Sequence, residues 1–188
     1  MRIIAGSMRG KRLAAFDGKK IRPTPDRVRE ALFSMLASRL GGFNGLKVLE
    51  LFAGTGAQSL EALSRGATTA VMVESSPYAL KLIKDNSARC GFSDRVTLIP
   101  AELPACLDRA SRYAPFDLIF LDPPYHAGLS DQMIAGVESL NLLAEGGIIC
   151  AETQRSEIPQ HPGALTLLVS RCYGSTAIHL YGLPEKTT

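Results

Sequence analysis

The segment Asp122-Pro-Pro-Tyr125 directly follows the apolar run Phe116-Asp-Leu-Ile-Phe-Leu121. Two prolines fix the backbone after a strand, and neither has an N–H to engage a neighbouring carbonyl. An Asp and a rigid carbonyl aimed at one point can accept both hydrogens of an exocyclic amine, which turns the nitrogen lone pair toward an electrophile. Tyr125 adds a flat face on which an extruded base can stack. Asp122, Pro123 and Tyr125 are therefore the candidate catalytic group. None of the four cysteines (Cys90, Cys106, Cys150, Cys172) sits in this segment, which disfavours a cysteine nucleophile.

Three further strand ends carry informative residues. Glu50-Leu-Phe-Ala-Gly-Thr-Gly56 places a carboxylate inside an apolar strand just before a turn with two glycines. Such a turn lets backbone approach a ligand closely, but Ser59 stands where a dinucleotide fingerprint would have its third small residue. A buried carboxylate needs a partner, and a cationic ligand over the turn would supply one, whereas a diphosphate would be repelled. Glu74, twenty residues past Gly54, ends the next strand where an acid accepts ribose hydroxyls. Glu102 follows the third strand, where a side chain would meet an adenine edge. Each acid alone reads as an ordinary surface residue. In register with the turn they describe a nucleoside pocket for a positively charged, non-phosphorylated ligand, which is S-adenosylmethionine.

The elements that position these residues alternate short apolar strands with helix-length segments, the pattern of a parallel sheet with crossover helices. Strands are expected at 47–52, 69–73, 96–99, 116–121 and 148–151. Helices are expected at 58–65, from Ser76-Pro77 to about Cys90, over 102–112 and over 130–144. Leu165–Val169 and Thr176–Tyr181 flank Tyr173-Gly174-Ser175 as an antiparallel hairpin. Thr24-Pro25 opens a helix reaching about Arg39, with Val28, Ala31, Leu32, Met35 and Leu36 on its apolar face. Short strands are expected in the first 16 residues. The fold class is α/β, a doubly wound Rossmann-like sheet that is mostly parallel, with a small N-terminal extension. The division is 1–40 for the basic extension and 41–188 for the ligand-binding domain.

Composition bounds the function. The 188 residues, 46% apolar and 21% charged, suit one globular domain. No run is long enough for a membrane helix. The dispersed cysteines suit neither a zinc site nor a disulfide framework, so no metal and a cytoplasmic setting are expected. The net charge of +3 is uneven, because residues 1–30 hold nine basic residues against three acidic ones. Arg2, Arg9, Lys11, Arg12, Arg22, Arg27 and Arg29 are candidate contacts to a polyanion, against the plainer reading of a solvated arm. Apart from Arg22-Pro-Thr24, this arm is expected to lie outside the nucleoside pocket.

The segments Arg2-Ile-Ile-Ala-Gly6, Arg9-Gly10 and Arg22-Pro-Thr-Pro-Asp-Arg-Val-Arg-Glu-Ala-Leu-Phe33, taken with Glu50–Gly56, Asp122–Tyr125 and Tyr173-Gly174, carry a resemblance. Over essentially the whole chain they resemble the bacterial family that methylates the N2 amine of a guanine in small-subunit (16S) ribosomal RNA. The resemblance implies a class I methyltransferase with a mixed seven-stranded sheet and methyl transfer without a covalent intermediate. It implies Glu50, Phe52, Gly54 and Gly56 on the methionine side, Glu74 at the ribose and Glu102 at the adenine, where many relatives carry Asp. Its substrate would be ribosomal RNA or a small-subunit ribonucleoprotein particle, with no membrane and no obligatory protein partner. DNA adenine-N6 methylation is the enzymatic alternative, although 188 residues leave little room for a target-recognition domain. Methylation of a protein glutamine amide is a further enzymatic possibility, disfavoured by the basic arm. A non-catalytic nucleoside- or RNA-binding module is the alternative of another class, disfavoured by the intact Asp-Pro-Pro-Tyr.

Overall fold

A computed structural model describes residues 1–16, 26–124, 128–159 and 163–184. Seven strands form one sheet in the order β3-β2-β1-β4-β5-β7-β6. They are β1 (Lys47–Leu51), β2 (Thr69–Glu74), β3 (Val96–Pro100), β4 (Phe116–Leu121), β5 (Leu143–Gln154), β6 (Thr166–Tyr173) and β7 (Thr176–Gly182). β1 to β5 run parallel, and β7 is antiparallel to both β5 and β6. The expected doubly wound sheet with its closing hairpin is present. The chain winds outward from β1 to β3, then returns to lay β4 on the other side of β1. Ligands bind beyond the carboxyl ends of strands at such a reversal.

Helices cover both faces, which is why β1 and β4 read as nearly unbroken apolar runs. On one face Val48, Phe120 and Cys150 pack with Leu32, Phe33, Leu36, Leu60 and Leu63, from helices α1 (Asp26–Leu40) and α2 (Ala57–Ser64). On the other, Leu49, Leu51, Ile119 and Leu121 pack with Met133, Ile134 and Val137 of α4 (Leu129–Ser139). Helix α3 (Pro77–Arg89) starts as expected, with Pro77 in its first turn and the Ser76 hydroxyl accepting from the Ala79 N–H at 3.4 Å.

Several expected boundaries move. The expected helix over 102–112 is a short 3-10 segment, Leu107–Tyr113. Pro104 lacks an amide hydrogen and biases its predecessor away from the helical region. Helix α4 ends at Ser139, with Asn141 in the left-handed region at φ 51°, and β5 begins before the Gly146-Gly147 pair. In place of N-terminal strands there is a single antiparallel bridge, Arg2 to Arg12. Thr24-Pro25 lies outside the described residues.

The N-terminal segment packs into the same core as the sheet, since Ile3 and Leu13 are buried among Leu32, Phe33 and Leu36. Glu61 of α2, fully buried, fastens it there. Its carboxylate accepts the Ile4 N–H at 2.7 Å, the Ala5 N–H at 3.0 Å, Arg65 Nε at 2.8 Å and Arg29 Nη2 at 3.3 Å. Arg29 Nη2 also donates to the Arg2 carbonyl at 2.7 Å. Arg29 is 1% exposed, so its assignment as an RNA contact is wrong: the guanidinium is an internal strut. Of the expected face of α1, Leu32 and Leu36 are buried and Val28 and Met35 are half-buried against the core, while Arg29 and Phe33 join the buried stripe and put one cation in it. Removing one partner of a buried ion pair strands the other charge. Glu61→Ala should therefore destabilise the protein by about 3–5 kcal/mol in urea titration, well beyond an ordinary surface change.

Candidate active site

Strand register brings the site together. Leu51, Leu121 and Ala151 are aligned across β1, β4 and β5, so the positions one step farther out are Phe52, Asp122 and Glu152. Glu152 is in turn aligned with Ile178 of β7. Two residues back, Glu50, Phe120 and Cys150 form a second row on the same face. Both rows and Ile178 line one cavity of about 270 Å³, together with Ala53–Thr55, Ala57, Gln58, Arg29 and Leu32.

Glu50 does not wait for a ligand to satisfy it. Its Oε2 accepts the Ser59 N–H at 2.9 Å, and the Gln58 N–H also bonds this carboxylate. The side chain thus caps the N-terminus of α2 from inside the sheet, replacing the side-chain cap that Gly56 cannot supply. Burial still pushes its pKa up to about 7, against the opposing pull of the Ser59 and Gln58 bonds and of Arg29.

Glu74 closes the turn from behind. It accepts the Gly54 N–H at 2.8 Å on one oxygen and the Ser75 and Ser76 N–H groups, each at 2.9 Å, on the other. Three amides of this turn and of the first turn of α2, those of Gly54, Gln58 and Ser59, are therefore occupied by carboxylates, which disfavours a phosphate there. Phe52 takes φ 58°, a left-handed conformation costing a non-glycine residue about 1–3 kcal/mol. Gly54 lines the cavity at φ 55°. Gly56 turns the other way: a Cβ there would lie 3.0 Å from Met72 Sδ, so its smallness serves helix–sheet packing.

Asp122 is exposed at the mouth of the cavity, where the surrounding wall partly desolvates its carboxyl and Glu152 and Glu50 add like charges. These effects, in that order, hold its carboxyl above the ordinary carboxylate range. Pro123 is buried beside it, and Tyr125 lies outside the described residues. Glu102 is exposed beyond the edge strand β3 and does not line the cavity. Arg2, Arg9, Lys11, Arg12 and Arg27 are exposed, and Arg22 lies outside the described residues.

The sequence reading missed several residues of this site. Met1, Ala15 and Phe16 form one wall, so the N-terminal segment does not stand outside the pocket. The Phe16 ring faces Tyr78 with centroids 5.7 Å apart. Asn86 anchors this wall, exchanging bonds with the Ala14 backbone at 2.7 and 3.0 Å while donating to the Thr55 carbonyl at 3.1 Å. Cys150 lies on the floor, its thiol pKa raised by burial and then by Glu152 and Asp122. Gln58, also on the wall, has a buried side-chain oxygen without a hydrogen-bond partner in the structure. Three carboxylates, an open acceptor and turn amides already held by Glu50 and Glu74 fit a cationic, amine-bearing nucleoside ligand. Among the described residues no cluster of three or more His, Cys, Asp or Glu could hold a metal ion, and no helix is long and apolar enough to cross a membrane.

The family described as conserved hypothetical protein 95 matches residues 1–182. Ribosomal RNA small subunit methyltransferase D of Haemophilus influenzae is 32% identical over 183 residues, covering 96% of this chain and 93% of that protein. The protein of the same name from Escherichia coli K12 is also 32% identical, over 189 residues, covering 96% and 89%. A solved hypothetical protein of Thermus thermophilus superposes with a TM-score of 0.79 at 30% identity, covering 97% of this chain and 99% of that one.

The raised pKa of Glu50 has a definite sign. The folded state holds this proton more tightly than the unfolded chain does, so the contribution to stability is full below about pH 4.5 and is lost as pH rises through about 7. Glu50→Gln keeps an acceptor for the Ser59 N–H and carries no charge. Its unfolding free energy should exceed that of the parent above pH 7, by up to an order of 3 kcal/mol, and the gap should close near pH 4.5. Parallel denaturant titrations at the two pH values measure it.

Proposed function

The chain belongs to the family described as conserved hypothetical protein 95, and from that premise we propose an S-adenosylmethionine-dependent methyltransferase that modifies the N2 amine of a guanine in small-subunit ribosomal RNA, in the cytoplasm. The carrying observation is that Asp122 and the Phe52–Gly54 turn share one acid-lined cavity at the strand reversal. The near-full-length relatives named as small-subunit ribosomal RNA methyltransferases support the substrate class. S-adenosylmethionine, when bound, supplies an electrophilic methyl group on a positively charged sulfur.

Glu50 and Glu152 lower the potential of the cavity, so a cation is favoured there and a diphosphate is not. Glu74, tied to the Gly54 amide, retains one lone pair on that oxygen for a ribose hydroxyl. Asp122 and the Pro123 carbonyl accept the hydrogens of the target amine and hold its lone pair toward the methyl group. Tyr125 supplies the stacking face for the extruded base. Asp122 is the group placed to take the proton that the nitrogen releases, and the elevated pKa of its carboxyl suits that acceptance. Cys150 lines the same cavity, but a thiol kept protonated by burial is a poor nucleophile. This supports direct transfer without a covalent enzyme intermediate. The exposed Arg9, Lys11 and Arg12 serve the RNA backbone.

Tritiated methyl transfer to ribosomal RNA, small-subunit particles and DNA in parallel, followed by nucleoside analysis, tests the activity. N2-methylguanosine from RNA or particles is the expected product, and methylated adenine in DNA overturns the reading. Asp122→Ala should lower kcat by about 100-fold or more, while the Kd for S-adenosylmethionine, from calorimetry, changes far less. Replacing Arg9, Lys11 and Arg12 together with Ala should weaken RNA binding and flatten its dependence on salt, by about one logarithmic slope unit for each phosphate no longer neutralised.

A further inference from the structure

The proposed methyl transfer uses the charge of Glu152 but not its position. Glu152 stands one strand over from Asp122, and the register Leu121 to Ala151 makes the two carboxylates neighbours on adjacent parallel strands. Paired positions in a sheet lie about 4.8 Å apart, a spacing comparable to the hydrogen-bonding edge of a single base. Glu152 is 9% exposed and lines the cavity with Asp122. Its charge acts on Asp122 directly, ahead of that of Glu50. Like charges held side by side in a partly dry cleft are costly, and capping α2 requires only Glu50.

A pair of acceptors selects its ligand by pattern. Among the standard bases, guanine alone carries a ring N–H directly beside its exocyclic amine on the Watson–Crick edge. Adenine and cytosine place a ring nitrogen lone pair there, which a carboxylate repels. Uracil has a ring N–H but no amine. Enzymes that extrude a base read this edge by hydrogen bonds.

We propose that Glu152 is the specificity-determining residue of the site, accepting guanine N1–H while Asp122 and the Pro123 carbonyl accept the N2 hydrogens. This rests on the amine-methylating function argued above and extends it to base choice. The two carboxylates together demand consecutive donors. The parent enzyme therefore rejects any base with an acceptor at N1, even one that has the same amine.

The test uses 2-aminopurine, which keeps the N2 amine but has an acceptor at N1. Nucleoside mapping first locates the methylated guanine. Ribosomal RNA carrying guanine or 2-aminopurine at that position is then presented in whichever form, naked or reconstituted, the parent enzyme methylates. The parent enzyme should prefer guanine by about tenfold to 100-fold in kcat/KM, the discrimination of a good base contact. Glu152→Gln, whose amide can donate to an acceptor at N1, should lower kcat/KM for guanine and bring the preference close to unity. Glu152→Ala should narrow the ratio as well, and it decides the matter if the Gln variant does not fold. A guanine preference as large in these variants as in the parent overturns the role of Glu152 and leaves the function standing. Methylation by the parent enzyme of adenine or cytosine, rather than of guanine, in the natural RNA overturns the functional reading itself.

Discussion

A carboxylate buried inside a strand organises this molecule's ligand end. Glu50 reaches up from β1 to bond the first amides of α2, so the helix dipole is met from within the protein rather than by a bound anion. Glu74 does the same for the Gly54 amide. Together they hold the turn in a conformation that Phe52 would not adopt by itself. They also exclude the commonest ligand of such turns, a phosphate. The desolvation cost carried by Glu50 is thus inseparable from the ligand chemistry the turn permits.

The sheet acts as the ruler for the rest. Because paired residues on parallel strands face the same way, one register from β1 through β4 and β5 fixes where Phe52, Asp122 and Glu152 stand relative to one another. β5 runs on past the end of β4 to Gln154, paired there with β7. That overhang carries Glu152 to the level of Asp122. The antiparallel hairpin therefore does more than finish the sheet, since it supports the strand that supplies a cavity wall.

Much of this was legible in the sequence, for identifiable reasons. Strand–turn–helix alternation gave the winding, and chemistry-bearing residues at strand ends gave Glu50, Gly54 and Asp122 as neighbours. Glu152 was not legible because it depends on pairing register between β4 and β5, which no local pattern encodes. Arg29 was misread because its charge suggested surface, although its spacing to Leu32, Phe33 and Leu36 already placed it in the buried stripe. Gly56 looked like a ligand-contacting glycine, yet it is small for the sake of Met72 and Ile83. The N-terminal wall was hidden for a further reason: Phe16 reaches the turn through Asn86, which lies 72 residues from Ala14 in sequence.

The three acids around the cavity bear on how the folded population is maintained. Burial and like charges raise the carboxyl pKa values of Glu50 and Asp122, so keeping all three acids ionised is an electrostatic burden on the folded protein. A positively charged occupant relieves part of that burden and binds only the folded chain. By mass action it then protects the protein against unfolding, more strongly the higher its concentration relative to its Kd. The measured resistance to unfolding therefore depends on how much occupant is present as well as on the chain itself.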